Sequence, residues 1–178
     1  MKKYKTGLVL GRFQTFHNGH EYIINKALEI CDKVLVFIGS SDKFGTIENP
    51  FSYELRKKLI KKVYENEIVE NKLVISPLAD LGAGNVTKWG DYLFCEAEKI
   101  LGKVDCIVYG KESKCKSWFS EKIKKSVNFI VISRDDIKIN ASTLRNYMKE
   151  NDFERWRKFV NEKNWGEFEK MREILIKI

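Results

Sequence analysis

Unbroken apolar runs that alternate with amphipathic segments constrain the fold of this 178-residue chain more than any other feature. The run KVLVFIG at residues 33–39 lacks the alternating polar positions of a strand with one solvent-exposed face. We predict further strands at 7–11, 73–75, 104–109 and 129–132, and helices at 19–32, 52–65, 89–101 and 117–125. Buried strands joined by helices form a covered parallel sheet. The predicted fold class is therefore α/β, a Rossmann-like doubly wound parallel sheet.

The C-terminal part of the chain follows a different pattern. After residue 140 only helical periodicity remains, and we predict helices at 142–150, 153–160 and 166–177. No repeat, low-complexity stretch or linker divides the chain. We therefore expect a single domain over residues 1–178, with a core at 1–140 and a helical C-terminal extension at 141–178.

The formal net charge of +8 favours anionic partners such as nucleotides, polyphosphates or nucleic acid. Many lysines stand beside glutamates on predicted helices, however, as they do on an ordinary solvated surface. The lysines are spread along the chain, and the sequence contains no RRM, KH, zinc-finger or basic-helix pattern. These observations argue against a nucleic-acid-binding module.

The length of the apolar runs and the spacing of the cysteines predict the cellular location of the protein. No apolar run approaches the roughly 20 residues of a membrane-spanning helix, so we expect no membrane partner. The four cysteines form no CxxC pair and have no histidine near them in sequence, which argues against a zinc site. Scattered free thiols are typical of a reducing compartment and predict a cytoplasmic protein.

The only two histidines of the chain, His17 and His20, lie at the junction between the first predicted strand and the first predicted helix. Spaced three residues apart, they share a face of the first helical turn. Gly19 leaves room for a ligand, Arg12 adds a cation, and the N–H groups of a helix N-terminus favour phosphate. Histidines on an exposed helix start are the ordinary alternative. Because both stand in one window after a strand, we predict a phosphate site.

Several segments of the sequence resemble those of a known family. The segment GRFQTFHNGH resembles the GRFQPFHxGH signature of nicotinamide-mononucleotide (NMN) adenylyltransferases, especially the archaeal type, within the HxGH nucleotidyltransferase superfamily. Residues 38–56 are similar to the family's IGS…T…NPF…ER segment, and residues 139–145 to its ISxTxxR motif. Asp80-Leu81 with Asn85 and Trp89 is similar to its D-I…N…W stretch, and the tail with Trp156 to its C-terminal helices.

The sequence departs from the family pattern at three positions. Thr15 stands where the family has proline, Asn140 replaces the serine of ISxTxxR, and Ser142 replaces its threonine. A hydroxyl therefore remains at position 142, whereas position 140 carries an amide.

The resemblance implies transfer of AMP from ATP to NMN, giving NAD and pyrophosphate. It implies that His17, His20 and Arg145 act on the triphosphate. It further implies that ATP phosphates contact Gly11, Arg12, Phe13, Gly19, Arg56, Gly110 and Ser142, and that NMN contacts Asp80 and Trp89. The phosphate of NMN is already ionised at neutral pH, so catalysis depends on alignment and charge neutralisation. We expect Mg²⁺ to bind mainly through ATP and water, with no protein metal site.

The residues alone leave other roles open. Ser142 could simply cap a helix that carries Arg145 on its surface. Arg56 is one of several cations on an amphipathic helix, Trp89 could be a core aromatic residue, and Asp80 could cap the following loop. The turn after Gly110 could be an ordinary strand–helix connection.

Alternative functions also remain open at the level of sequence. Another HxGH enzyme would use pantetheine phosphate, a flavin nucleotide or CTP. A nucleotide sensor would keep the pocket without the chemistry. The sequence does not separate NMN from its deamidated form, and a homo-oligomer is expected from the resemblance only.

Overall fold

The computed structural model describes residues 1–81, 86–111, 114–133 and 137–178, with the backbone alone at 86 and 87. Five parallel strands form one sheet in the order β3-β2-β1-β4-β5. They are β1 (Tyr4–Gly11), β2 (Cys31–Ile38), β3 (Leu73–Pro77), β4 (Cys106–Gly110) and β5 (Asn128–Ile132). The chain builds outward from β1 to β3 and then crosses to β4, so the strand order reverses beside β1. The predicted doubly wound sheet is confirmed.

Helices cover both faces of the sheet. They are α1 (Asn18–Ile30), α2 (Tyr53–Val63), α3 (Glu65–Val69), α4 (Val86–Leu101) and α5 (Glu121–Ser126). Alternate residues of the strands enter different cores because successive side chains point to opposite faces. Val34 and Val36 pack in the core with α1 and α2, whereas Leu35 and Phe37 pack in the core with α4 and α5.

The predicted helix at 117–125 was wrong in its extent. Cys115–Trp118 forms a 3₁₀ turn, and α5 begins only at Glu121. Ser120 separates them because its backbone is extended and its N–H donates to Asp91 Oδ1 of α4 at 3.0 Å. The turn is thereby attached to α4.

The C-terminal extension contains α6 (Ala141–Lys149), α7 (Phe153–Trp156) and α8 (Phe168–Leu175). The predicted helix 153–160 ends early in a 3₁₀ turn, Arg157–Phe159, and a second one, Glu162–Glu167, precedes α8. Asn161 caps this second turn, which covers most of the stretch between the predicted helices 153–160 and 166–177. Trp156 is fully buried in the same core as Val36 of β2. The extension is therefore part of the main core.

A shared carboxylate also joins the extension to α2. The Glu167 side chain is only 7% exposed, and its Oε1 accepts from Lys58 at 2.7 Å and Lys62 at 2.6 Å. Burial raises the pKa of Glu167, but the hydrogen bonds from the two lysines outweigh burial and leave that pKa below its usual value. Glu167 is therefore ionised at neutral pH.

The cysteines occupy distinct environments. The Sγ atoms of Cys31 and Cys106 lie 3.4 Å apart across β1, where Gly7 separates the two strands. A Cβ atom at Gly7 would lie 2.5 Å from Cys31 Sγ, so this pair requires glycine there. Cys115 is also buried, whereas Cys95 on α4 is exposed.

Among the helices that the structure describes, none is both long enough and apolar enough to cross a bilayer.

Candidate active site

His17 is the N-cap of α1. Its backbone is extended, and its Nδ1 accepts a hydrogen bond from the Gly19 N–H at 3.1 Å. Because Nδ1 is the acceptor, a neutral imidazole here carries its proton on Nε2. The cap thus fixes the tautomer that can donate to a phosphate oxygen.

His20 lies one turn further along α1, beside His17. The two ring centroids are 3.8 Å apart, so the structure brings the two predicted histidines together. The ring of Phe13 meets His20 edge-on at 4.9 Å, and Phe16 stacks on it at 6.0 Å. This aromatic packing restricts the orientation of the His20 imidazole.

The Phe13 ring packs between Gly11 and His20. Phe13 has a left-handed backbone with φ of 52°, and its buried ring packs against Gly11, where a Cβ atom would lie 2.8 Å from the ring. The predicted contact of Phe13 with ATP phosphate can therefore involve only its backbone. Gly11 is needed for the close approach of this ring.

Arg145 connects α6 to the loop before α1. Its guanidinium donates to the backbone carbonyl of Gln14 and, at 3.1 Å, to Ser142 Oγ. Burial and the neighbouring charge of Arg12 lower the pKa of Arg145. A guanidinium whose charged form is disfavoured by burial and by a neighbouring cation would be stabilised by an anion beside it.

Asn140, rather than Ser142, caps α6. Its Oδ1 accepts from the Thr143 N–H at 2.9 Å, so the alternative in which Ser142 caps the helix does not hold. An amide oxygen performs the capping role as well as a serine hydroxyl does. The departure from the family motif at position 140 therefore preserves the start of α6 and leaves Ser142 beside Arg145.

A cavity of about 300 Å³ opens at the carboxyl edge of the sheet, where the strand order reverses. It unites four residues predicted from two separate motifs, Gly11, Arg12, Asp80 and Trp89. The other lining residues are Leu10, Gly39, Ser40 and Trp118. Neither Ser40 nor Trp118 was among the predicted site residues.

Two tryptophans form one wall of this cavity. Trp89 and Trp118 meet edge-to-face with ring centroids 5.4 Å apart. The sequence signal for Trp118 was its place shortly after β4, at the ligand-binding edge. A flat aromatic ligand could stack on this wall.

Asp80 is held at the cavity by three neighbours. Its Oδ2 accepts from Ser40 Oγ at 3.0 Å and from Lys43 Nζ at 2.7 Å. Its backbone N–H donates to Asp42 Oδ1 at 3.1 Å, and this hydrogen bond lowers the pKa of Asp42. The Asp80 carboxylate is thus fixed in place with a cation beside it.

The predicted contact of Arg56 with phosphate was wrong. Arg56 is 0% exposed, and its burial, together with the charge of Arg12, lowers its pKa to about 10. Four of its five N–H donors are used by backbone carbonyls. The acceptors are Ser52 at 3.2 Å, Arg12 and Gly39 at 2.8 Å each, and Ser40 at 3.0 Å. Arg56 therefore joins the loops that line the cavity.

Other sequence predictions remain without a test at the site. Gly110 ends β4 and is buried, but it does not line the cavity just described. Asn85, like Glu112 and Ser113 after β4, lies outside the described residues. The predicted contact of Gly110 with ATP phosphate stays a prediction.

Gly90 allows the tryptophan wall to form. A Cβ atom at Gly90 would lie 2.0 Å from the backbone oxygen of Trp118, so Gly90→Ala must displace the 3₁₀ turn from α4. For the AMP transfer that the sequence resemblance implies, we expect this change to raise the KM of the phosphorylated acceptor about tenfold or more while the KM of ATP changes little. Steady-state kinetics with each substrate varied would measure this. Gly166→Ala is the control, since nothing lies within 4 Å of that Cβ position and the backbone there is not left-handed. Equal effects on both KM values would contradict the prediction.

Comparisons with known proteins show the family and the fold of this chain. A cytidylyltransferase-like family model matches residues 8–165. The nicotinamide-nucleotide adenylyltransferase of Thermoplasma acidophilum is 31% identical over 121 residues, covering 68% of this chain and 63% of that protein. The enzyme of the same name from Aeropyrum pernix is 34% identical over 107 residues, covering 59% of this chain and 58% of that protein.

A solved structure shows the same architecture. The bifunctional NMN adenylyltransferase/ADP ribose pyrophosphatase of Francisella tularensis, complexed with AMP and a manganese ion, matches with a TM-score of 0.74 and 26% identity. The match covers 98% of this chain and 52% of that one. This chain therefore spans between about half and two thirds of these relatives. The predicted resemblance to NMN adenylyltransferases is confirmed, and the chain belongs to the cytidylyltransferase-like family.

Proposed function

We propose that this protein transfers AMP from ATP to NMN, forming NAD and pyrophosphate. One observation carries the proposal. The cavity beside β1 combines Asp80 and Trp89, the predicted acceptor residues, with Arg12, which lies in the loop that leads to His17 and His20. The cavity would bind the ring-bearing NMN, and the neighbouring start of α1 would bind the triphosphate of ATP.

In the proposed reaction, a phosphate oxygen of NMN attacks the α-phosphorus of ATP. A new P–O bond forms, the bond between the α-phosphorus and the bridging oxygen breaks, and pyrophosphate leaves with that electron pair. No general base is required because the attacking phosphate is ionised. Catalysis then depends on placing the two phosphates in line and on stabilising charge as it builds up.

Each side chain of the site would contact a different part of the two substrates. His17 Nε2 and His20 at the start of α1 would donate to the triphosphate, close to the positive end of the helix dipole. Arg145, held against Gln14, would bind the β- and γ-phosphates, with Ser142 beside it. Arg12 would lie between the triphosphate and the acceptor cavity, since it lines that cavity and affects the pKa of Arg145.

Magnesium fits this donor set through ATP rather than through protein ligands. The side chains at the triphosphate site are imidazoles, guanidiniums and a hydroxyl, so the metal would be held by phosphate oxygens and water. Bound there, Mg²⁺ supplies charge neutralisation on the phosphates. The complex of the Francisella tularensis protein with AMP and a manganese ion supports the use of a divalent metal.

The acceptor cavity suits a pyridine nucleotide. Its two indole rings provide a flat apolar surface for the ring, and the Asp80 carboxylate is an acceptor for a carboxamide N–H. A homo-oligomer and a cytoplasmic location remain predictions from the sequence.

The test is incubation of the purified protein with ATP, Mg²⁺ and NMN, with NAD and pyrophosphate measured together. We expect both products in equal amounts. ATP binding without either product would overturn the proposal. Pantetheine phosphate, flavin mononucleotide and CTP-dependent acceptors would then be tried, and failure of all of them would favour a nucleotide sensor.

A further inference from the structure

The ion pair between Lys43 and Asp80 stands at the cavity assigned to the acceptor ring. We propose that Lys43 is a specificity-determining residue that allows this cavity to take both NMN and its deamidated form. The inference rests on the proposed adenylyl transfer and concerns the charge of the group carried by the pyridine ring.

The lining of the cavity carries one charged side chain of each sign. Among the residues lining the cavity, Asp80 is the acidic one and Arg12 the basic one. A carboxylate beside the ring accepts a hydrogen bond from a carboxamide but repels the carboxylate of the deamidated substrate. Asp80 without a cation would therefore select the amide.

Lys43 supplies the cation that offsets the charge of Asp80. Lys43 Nζ lies 2.7 Å from Asp80 Oδ2, and this hydrogen bond raises the pKa of Lys43 above the usual lysine value. The ammonium is therefore charged at neutral pH. The Lys43 ammonium offsets the charge of the Asp80 carboxylate. The carboxylate of the deamidated substrate can therefore lie nearby without net repulsion.

Asp80 is held in place by more contacts than Lys43. Asp80 is fixed by Ser40 and, through its backbone, by Asp42. The Lys43 side chain is 47% exposed against 24% for Asp80, and it carries a flexible four-carbon stem. The ammonium can thus move toward a substrate carboxylate while Ser40 keeps the hydrogen bond to Asp80.

The experiment compares kcat/KM for NMN and for deamidated NMN in the wild type, Lys43→Ala and Lys43→Arg. We expect the acid-to-amide ratio to fall about tenfold or more in Lys43→Ala and to change little in Lys43→Arg. The matched control is Lys26→Ala, which removes a surface pair with Glu29 on α1. A ratio of two substrates is insensitive to the fraction of enzyme that is folded.

A second variant tests the cause. Asp80→Asn added to Lys43→Ala removes the unpaired carboxylate and should restore the ratio toward that of the wild type. An unchanged ratio in Lys43→Ala, or no restoration by Asp80→Asn, would overturn the inference while the adenylyl transfer stands. A wild-type protein that uses neither substrate would overturn both proposals.

Discussion

Replacing His20 with alanine should lower kcat for NAD formation by about 10²–10³-fold and leave the fold unchanged. His20 lies in the first turn of α1 against His17 and Phe13, where it would donate to phosphate oxygens as their charge develops. A donor that acts mainly in the transition state affects kcat more than KM. Single-turnover and steady-state rates of NAD formation would measure the loss.

His17 offers an informative comparison because it has two roles. His17→Ala should reduce kcat and also destabilise α1 by about 1 kcal/mol, since the cap to Gly19 is lost. His17→Asn should restore the cap but not the rate. Wild-type turnover by His20→Ala would show that His20 takes no part in catalysis.

Replacing Arg56 with methionine should reduce the free energy of unfolding by about 3 kcal/mol or more, because it leaves several buried carbonyls without a donor. We expect the KM of both substrates to rise as well, since the carbonyls belong to Arg12, Gly39 and Ser40. Arg56→Lys should be intermediate, because a single ammonium cannot replace the planar guanidinium.

The measurement is urea unfolding followed by circular dichroism, combined with substrate kinetics. Lys61→Met, on the exposed side of the same helix, is the matched control. If Arg56→Met were as stable as Lys61→Met and only its phosphate affinity fell, Arg56 would be a ligand after all.

The sheet could be predicted because its signal is local. The buried runs around Val34–Ile38 and Ile107–Val108 contain no polar alternation, and this indicates strands covered on both faces. The two histidines were predicted together because they are spaced three positions apart on one helical turn. Short-range spacing was sufficient in both cases.

Arg56 and Trp118 could not be predicted because their roles depend on distant segments. A cation on an amphipathic helix reads as a surface residue, and only folding brings the carbonyls of two other loops to Arg56. Trp118 reaches the cavity because a 3₁₀ turn docks on Gly90, and the sequence pattern predicted an ordinary helix there. Asn140 was overlooked as a cap because Ser142 offered an equivalent side chain two residues later.

The unequal burial of the cysteines makes the native protein a single-site target for thiol chemistry. Cys31, Cys106 and Cys115 are enclosed, so a maleimide reagent would couple first to Cys95 on the outer side of α4. A fluorophore attached there needs no removal of other cysteines. Because α4 also carries Trp89, such a label would report on the helix that contributes to the tryptophan wall of the cavity.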